Sequence, residues 1–188
     1  MKFSLQHDAT QLDSASSVIL PLAKTTEDGE TLTTASLIAA DKLLNGAISH
    51  AIASGDLSGK FKTSQLFLNA GAGPDRILVI GTGDAEQLSG RKYRQLVQAA
   101  WSQISANPGP LVVNQLTTAD SSNLDLQSKV RLTVEAMVQA CYRFDQFKTI
   151  GKETQPNPDM VLVADTGSQT QLDQSVARLK SRNLFSVV

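Results

Sequence analysis

Two short segments of this chain are apolar along their whole length, "ILVI" at Ile77–Ile80 and "MVLVA" at Met160–Ala164. A strand with one wet face alternates apolar and polar residues, whereas a continuously apolar strand must be covered on both faces. Further strand-like runs occur at Lys2–Gln6, Ser17–Leu22, Gln65–Asn69, Arg76–Gly81 and Pro110–Gln115. The pattern therefore predicts a sheet with helices on both faces.

Four helical stretches can supply that cover. The second begins after Ser89, a favourable N-cap residue, and "NPGP" at Asn107–Pro110 stops it. The other three are predicted from about Leu32 to Ser54, around the apolar stripe from Val130 to Cys141, and from about Gln169 to Arg182. Strands that alternate with helices indicate an α/β domain with three layers.

Composition restricts the class of protein further. The chain has 188 residues, a formal net charge of −1 and one cysteine, Cys141. A near-neutral domain has no overall attraction to nucleic acid or to an anionic membrane. A lone cysteine fits a reducing compartment, and no apolar run is long enough for a signal peptide or a membrane span. We expect a cytoplasmic protein with no membrane partner.

A Gly-x-Gly loop follows the apolar strand at Ile77–Ile80, in the order that begins many nucleotide-phosphate sites. Gly81 and Gly83 are present, but Glu86 stands at the third glycine position of a dinucleotide fingerprint and would repel phosphate. A Walker loop is excluded because no Gly-Lys-Ser/Thr follows. Two interpretations stay open. The glycines allow a tight turn, or the loop of Gly81, Thr82, Gly83 and Asp84 binds a ligand.

The other reactive side chains form no recognisable active site. His7 and His50 have no partner at a zinc-ligand spacing. Cys141 lies on an apolar stripe, which predicts a buried thiol rather than a nucleophile. Carboxylates such as Asp145 and Glu135 are scattered. Two basic clusters, Arg91–Lys92–Arg94 and Arg178–Lys180–Arg182, are predicted to be solvated.

Four segments in consistent order resemble the N-terminal domain of the cytosolic leucyl aminopeptidase family, also called the bacterial cytosol aminopeptidases. They are the opening "MKFS", "ISHAIASGDLSGKFKTSQLF" at Ile48–Phe67, "DRILVIGTGDAEQLSGRKYRQ" at Asp75–Gln95, and "YRFDQFKT" at Tyr142–Thr149. The resemblance implies a fold similar to a macro domain, with a mixed sheet between helices, and a single domain over residues 1–188.

The resemblance also implies a division of labour. Full-length members have a C-terminal catalytic domain whose two divalent metal ions, zinc or manganese, serve hydrolysis of N-terminal residues, Leu preferred. None of that domain's motifs occurs in this sequence, so the family's catalytic and metal-binding roles map onto no residue of it, and no cofactor is expected in it. We expect a non-catalytic domain whose partners are the catalytic domain and the other subunits of a hexamer.

Two further expectations concern ligands. Some bacterial relatives bind DNA, which the resemblance implies as a partner although the net charge of this chain does not favour it. The alternative to the aminopeptidase role is a free-standing macro-like module that binds an ADP-ribose type ligand through Gly81–Asp84.

Overall fold

The computed structural model describes residues 3–6, 14–24, 34–141 and 158–163. These residues form a six-stranded sheet and four α-helices. The strands are β1 (Phe3–Gln6), β2 (Ser17–Ala23), β3 (Ser64–Leu68), β4 (Arg76–Gly83), β5 (Leu111–Asn114) and β6 (Asp159–Val163). The helices are α1 (Ala35–Leu43), α2 (Ala47–Ala53), α3 (Gly90–Ile104) and α4 (Leu126–Cys141). The helix predicted over Gln169–Arg182 lies outside the described residues.

The sheet is mixed, as the sequence predicts, with the order β1-β6-β5-β2-β4-β3. All neighbouring strands pair in parallel except β3, which runs antiparallel to β4 at one edge. The long strand β2 therefore lies between β5 and β4, and the carboxyl ends of β2 and β4 meet at the same edge of the sheet.

Helices cover both faces of the sheet, which confirms the three-layer α/β architecture. On β4, Leu78 and Ile80 pack with the residues of α3 and α4, whereas Ile77 and Val79 pack with those of α1 and α2. All four side chains are fully buried. The continuous apolar run therefore reflects a strand that fills one core with its even-numbered residues and a second core with its odd-numbered ones.

The helix predicted over Leu32–Ser54 is wrong as a single element. Asn45 and Gly46 adopt positive φ values of 54° and 84°, which break the chain into α1 and α2. Asp41 stabilises the break, since its Oδ1 accepts hydrogen bonds from the backbone amides of Ile48 (2.9 Å) and Ser49 (3.0 Å) at the start of α2. One carboxylate of the first helix thus caps the second.

The helix predicted after Ser89 is confirmed as α3. Ser89 Oγ accepts a hydrogen bond from the amide of Lys92, as an N-cap residue does. Its predicted apolar stripe is buried throughout, at Tyr93, Leu96, Val97, Ala100, Trp101 and Ile104.

Candidate functional site

A cavity of about 230 Å³ opens at the carboxyl ends of β2 and β4. Thr82, Gly83 and Asp84 of the predicted loop line it, together with residues just after β2, before β3, in the short turn that follows the loop and at the start of α3. The complete lining is Lys24, Lys60, Phe61, Thr82, Gly83, Asp84, Gln87 and Lys92. The fold therefore brings most of the predicted loop to a cavity, at the edge of a parallel sheet where ligands commonly bind.

The segment Gly59–Lys62 crosses the end of β4 in direct backbone contact with the Gly-x-Gly loop. Gly83 donates its amide to the carbonyl of Gly59 (3.0 Å), and Gly81 donates its amide to the carbonyl of Thr63 (2.7 Å). Lys62 returns a hydrogen bond to the carbonyl of Gly81 (2.9 Å). The amides of both loop glycines are thus used within the protein.

This crossing requires residues without a side chain. A Cβ at Gly81 would collide with the carbonyl oxygen of Lys60, and a Cβ at Gly59 would collide with the carbonyl oxygen of Ala23. Gly83 and Gly59 also have positive φ values of 74° and 61°, which favour glycine. Close approach of two backbones accounts for the Gly-x-Gly pattern, while ligand binding by Gly81, Thr82, Gly83 and Asp84 stays a prediction.

Lysine side chains dominate the electrostatics of the cavity. Lys24 Nζ lies 3.1 Å from Asp84 Oδ1 in an ion pair whose side chains are about half exposed, so the pair adds little stability. Lys92 Nζ donates to Gln87 Oε1 (3.3 Å) and lies 5.7 Å from the centroid of the Phe61 ring. That distance is within the range of a cation–π contact.

The first turn of α3 concentrates positive charge where the helix dipole disfavours it. Arg91 and Lys92 lie there, Arg94 begins the next turn, and the first turn contains no acidic residue. Arg94 leaves the cavity side, since its Nη2 donates to Glu135 Oε2 of α4 at 3.2 Å. The cluster is therefore divided: Arg91 is exposed as predicted, Arg94 joins a partly exposed ion pair between helices, and Lys92 lines the cavity.

The other described residues considered from the sequence do not line the cavity. His50 is exposed on α2, Glu86 is exposed in the short 3-10 turn Ala85–Gln87, and Cys141 ends α4. Glu135 joins Arg94 and Arg131 on the surface of α3 and α4. His7, Asp145, the cluster Arg178–Lys180–Arg182 and the segment "YRFDQFKT" lie outside the described residues.

Neither a metal site nor a membrane span is found in the part of the chain that the structure describes. No group of three or more His, Cys, Asp or Glu side chains there could hold a metal ion. None of the helices in the same residues combines the length and apolar character needed to cross a bilayer.

Sequence reasoning missed Lys24, Lys60 and Phe61 as neighbours of the loop. Lys24 follows the end of β2, and Lys60 and Phe61 precede β3, so neither position is near Gly81 along the chain. One signal was present, because Gly59 begins a Gly-Lys-Phe turn just before a strand that pairs with β4.

Most of the chain is similar to known proteins of one family. A family model described as "Cytosol aminopeptidase family, N-terminal domain" matches residues 19–150. A probable cytosol aminopeptidase of Stutzerimonas stutzeri is 27% identical over 176 residues, which cover 93% of this chain and 34% of that protein. Another from Pseudomonas syringae pv. syringae is 33% identical over 126 residues, covering 66% of this chain and 25% of the relative.

Solved structures show the same fold. A tomato leucine aminopeptidase mutant superposes with a TM-score of 0.70 at 15% identity, covering 96% of this chain and 35% of its own. The bottromycin maturation enzyme BotP in complex with Mn gives a TM-score of 0.56 at 17% identity, covering 89% of this chain and 30% of its own. The chain thus spans about a third of the length of the first relatives that it matches.

Proposed function

Because the chain belongs to the cytosol aminopeptidase family by its N-terminal domain, we propose that it serves as the non-catalytic part of a metal-dependent exopeptidase. That enzyme would release N-terminal amino acids from peptides, with Leu preferred. The match of the family model over residues 19–150 is the observation that carries this proposal.

The division into catalytic and non-catalytic parts is supported by the lengths of the relatives. The alignment with the probable aminopeptidase of Stutzerimonas stutzeri covers 34% of that relative. About two thirds of the relative therefore lie outside the part that resembles this chain. We propose that residues 1–188 form one domain and that the partner of this domain is a C-terminal catalytic domain of the same family.

The chemistry of peptide hydrolysis supports the same division. A dinuclear site needs carboxylate-rich ligand sets that hold two ions about 3.5–4 Å apart and activate a water between them. The described residues of this chain do not fit such a group, since they bring no three potential ligands together. The zinc or manganese ions would therefore be held by the catalytic domain, and no step of the reaction is assigned to residues of this chain.

The role proposed for the domain is to assist assembly of a cytoplasmic hexamer and to shape access to the active site.

DNA binding stays a separate prediction. If this domain binds DNA, affinity should fall steeply with salt because several phosphates must be contacted. A gel shift at low salt that is absent or insensitive to added salt would contradict that prediction.

Hydrolysis of leucine p-nitroanilide tests the proposed function. We expect no turnover by the 188-residue chain, with zinc or with manganese, and metal-dependent turnover once a family catalytic domain follows it in one polypeptide. Hydrolysis by the 188-residue chain alone that a chelator abolishes would contradict the proposal.

Size-exclusion chromatography tests the assembly role. We expect the chain joined to its catalytic domain to elute as a hexamer and the 188-residue chain to elute as a smaller species. A catalytic domain that elutes as the same hexamer without this chain would contradict the assembly role.

A further inference from the structure

We propose that the cavity at the ends of β2 and β4 is an anion site that binds a compact phosphoryl group through the ammonium groups of Lys24, Lys60 and Lys92. The proposal does not depend on the aminopeptidase role, because it rests on the geometry of the described residues alone. It extends the predicted ligand loop to side chains that are distant in sequence.

The first argument for an anion site is the excess of positive charge in the cavity. Three lysines and one carboxylate, Asp84, line it, which leaves a net charge of +2. Among the described residues, Lys24 is the cavity lysine that forms an ion pair, whereas Lys60 and Lys92 face no carboxylate within ion-pair distance. Cations gathered around one space repel each other unless an anion enters it.

The start of α3 adds a second observation. Lys92 lies in the first turn of this 15-residue helix, where a cation opposes the helix dipole and an anion is favoured. The ring of Phe61 and the amide of Gln87 hold Lys92 Nζ beside the cavity. Lys92 thus occupies a position that the helix dipole disfavours, and its contacts with Phe61 and Gln87 orient its ammonium group there.

The chemistry of the lining selects the class of ligand. The amides of Gly81 and Gly83 donate to the carbonyls of Thr63 and Gly59, so neither is available to a ligand and recognition is assigned to the lysine side chains. Lysine ammonium groups are common phosphate binders that act as point charges. A phosphoryl group carries about −1.5 to −2 charges near neutral pH, which matches the excess charge of the cavity.

The size of the cavity limits the ligand further. Its volume of about 230 Å³ lies below the roughly 300–1,000 Å³ of pockets that enclose drug-sized ligands. The described lining therefore fits a phosphoryl group better than it fits a whole ADP-ribose. Inorganic phosphate and the phosphate of a nucleotide present the same chemistry to the three lysines.

Isothermal titration calorimetry of the 188-residue chain with inorganic phosphate tests the site. We expect heat of binding for the unmodified chain, and an affinity at least about tenfold weaker for the double variant Lys60→Met/Lys92→Met, since a factor of ten corresponds to one lost charge-assisted contact. Methionine keeps most of the aliphatic stem of lysine, and thermal unfolding checks that each variant folds.

Two further variants make the test specific. Lys62→Met removes a lysine that is exposed, as Lys60 is, but does not line the cavity, and it should leave phosphate affinity unchanged. Asp84→Asn removes the competing carboxylate and should tighten phosphate binding severalfold. No heat with phosphate, equal weakening by Lys62→Met, or weaker binding in Asp84→Asn would each overturn the proposal.

The source of the phosphoryl group is read from parallel titrations with AMP and ADP-ribose. Affinities equal to that of phosphate indicate free phosphate, and a tighter nucleotide that the same double variant weakens indicates a nucleotide phosphate. Binding of ADP-ribose that is unaffected by Lys60→Met/Lys92→Met would overturn the lysine site. So would binding of duplex DNA with no response to phosphate.

Discussion

Tyr93 Oη lies 3.0 Å from Thr133 Oγ1 and joins α3 to α4 inside the core. Both side chains are fully buried. Thr133 Oγ1 uses its hydrogen to reach the carbonyl of Lys129 at 2.8 Å, so Tyr93 is the donor of the shared bond. The phenol hydroxyl therefore depends on Thr133, whereas the Thr133 hydroxyl is satisfied without Tyr93.

This dependence predicts unequal effects of two similar deletions. Thr133→Val should lower the free energy of unfolding by about 1–3 kcal/mol, because it leaves a buried phenol hydroxyl without an acceptor. Tyr93→Phe should cost about 0.5–1.5 kcal/mol, because it removes one bond and leaves no unpaired group. Urea unfolding monitored by circular dichroism measures both.

The double variant completes that cycle. Adding Tyr93→Phe to Thr133→Val should restore part of the lost stability, since the unpaired hydroxyl is removed. Ser102→Ala, at an exposed position of α3, is the control and should change stability by less than about 0.5 kcal/mol. Strictly additive losses in the double variant would contradict the proposed direction of the hydrogen bond.

The same tyrosine predicts a loss of stability at alkaline pH. Burial raises the pKa of Tyr93 well above its usual 10.0, outweighing the hydrogen bond with Thr133. The unfolded chain releases this proton above pH 10.0 while the folded chain keeps it, so stability falls as pH rises through that region. Tyr93→Phe should show a shallower fall between pH 9 and 11.

Comparison with the unmodified chain isolates the tyrosine. Burial lowers the pKa of Lys129, which favours the folded chain as pH rises toward 10.5, and both proteins contain that lysine. Identical slopes of unfolding free energy against pH in the two proteins would contradict the prediction.

Gly81→Ala should destabilise the protein by at least about 1–3 kcal/mol, the usual cost of overpacking. The added Cβ meets the backbone carbonyl of Lys60, which cannot move away as a side chain could. Gly90→Ala is the matched control, because neither glycine has a positive φ and a Cβ at Gly90 meets nothing nearer than the Leu132 side chain at 3.4 Å, an ordinary contact distance. A thermal midpoint that falls equally in both variants would contradict the role of the backbone crossing at Gly81.

Acid should weaken the start of α4. Hydrogen bonds from the Ser128 hydroxyl and amide lower the pKa of Asp125 below 3.8. The carboxylate thus stabilises the fold above pH 3.8, and this contribution is lost as pH falls below 3.8 through the folded-state pKa. Asp125→Ala should cost about 0.5–2 kcal/mol at pH 7 and less at pH 3.

Asp75→Ala tests whether that loss is specific to the cap, because Asp75 is an exposed loop residue. It should leave unfolding free energy nearly unchanged at both pH values. A cost of Asp125→Ala that is the same at pH 7 and pH 3 would contradict the capping role.

Much of the fold could be predicted because its signals are local. The apolar run Ile77–Ile80 correctly predicted a strand buried on both faces. The N-cap residue Ser89 and the apolar stripe from Tyr93 to Ile104 correctly predicted α3. The break between α1 and α2 was missed, because it depends on Asp41 reaching the amides of Ile48 and Ser49 rather than on a proline.

The cavity could be predicted only in part. The Gly-x-Gly pattern marked one wall of it, but the meaning of that pattern comes from Gly59, which lies more than twenty residues earlier in the chain. Lys24 and Lys60 reach the same space only after β2 and β4 pair in parallel. Contacts of this kind follow from topology, which single-residue patterns do not encode.

The crossing of Gly59–Lys62 over β4 is held by main-chain hydrogen bonds and by glycines, and Lys60 takes part in it through its carbonyl, whereas its ammonium group lines the cavity. The backbone that shapes this edge of the sheet and the side chains that line its cavity can therefore be changed independently. Replacing Lys60, Lys92 or Lys24 by acidic or apolar residues should reprogram what enters the cavity while the surrounding scaffold keeps its shape, which makes this edge a practical starting point for designed ligand specificity.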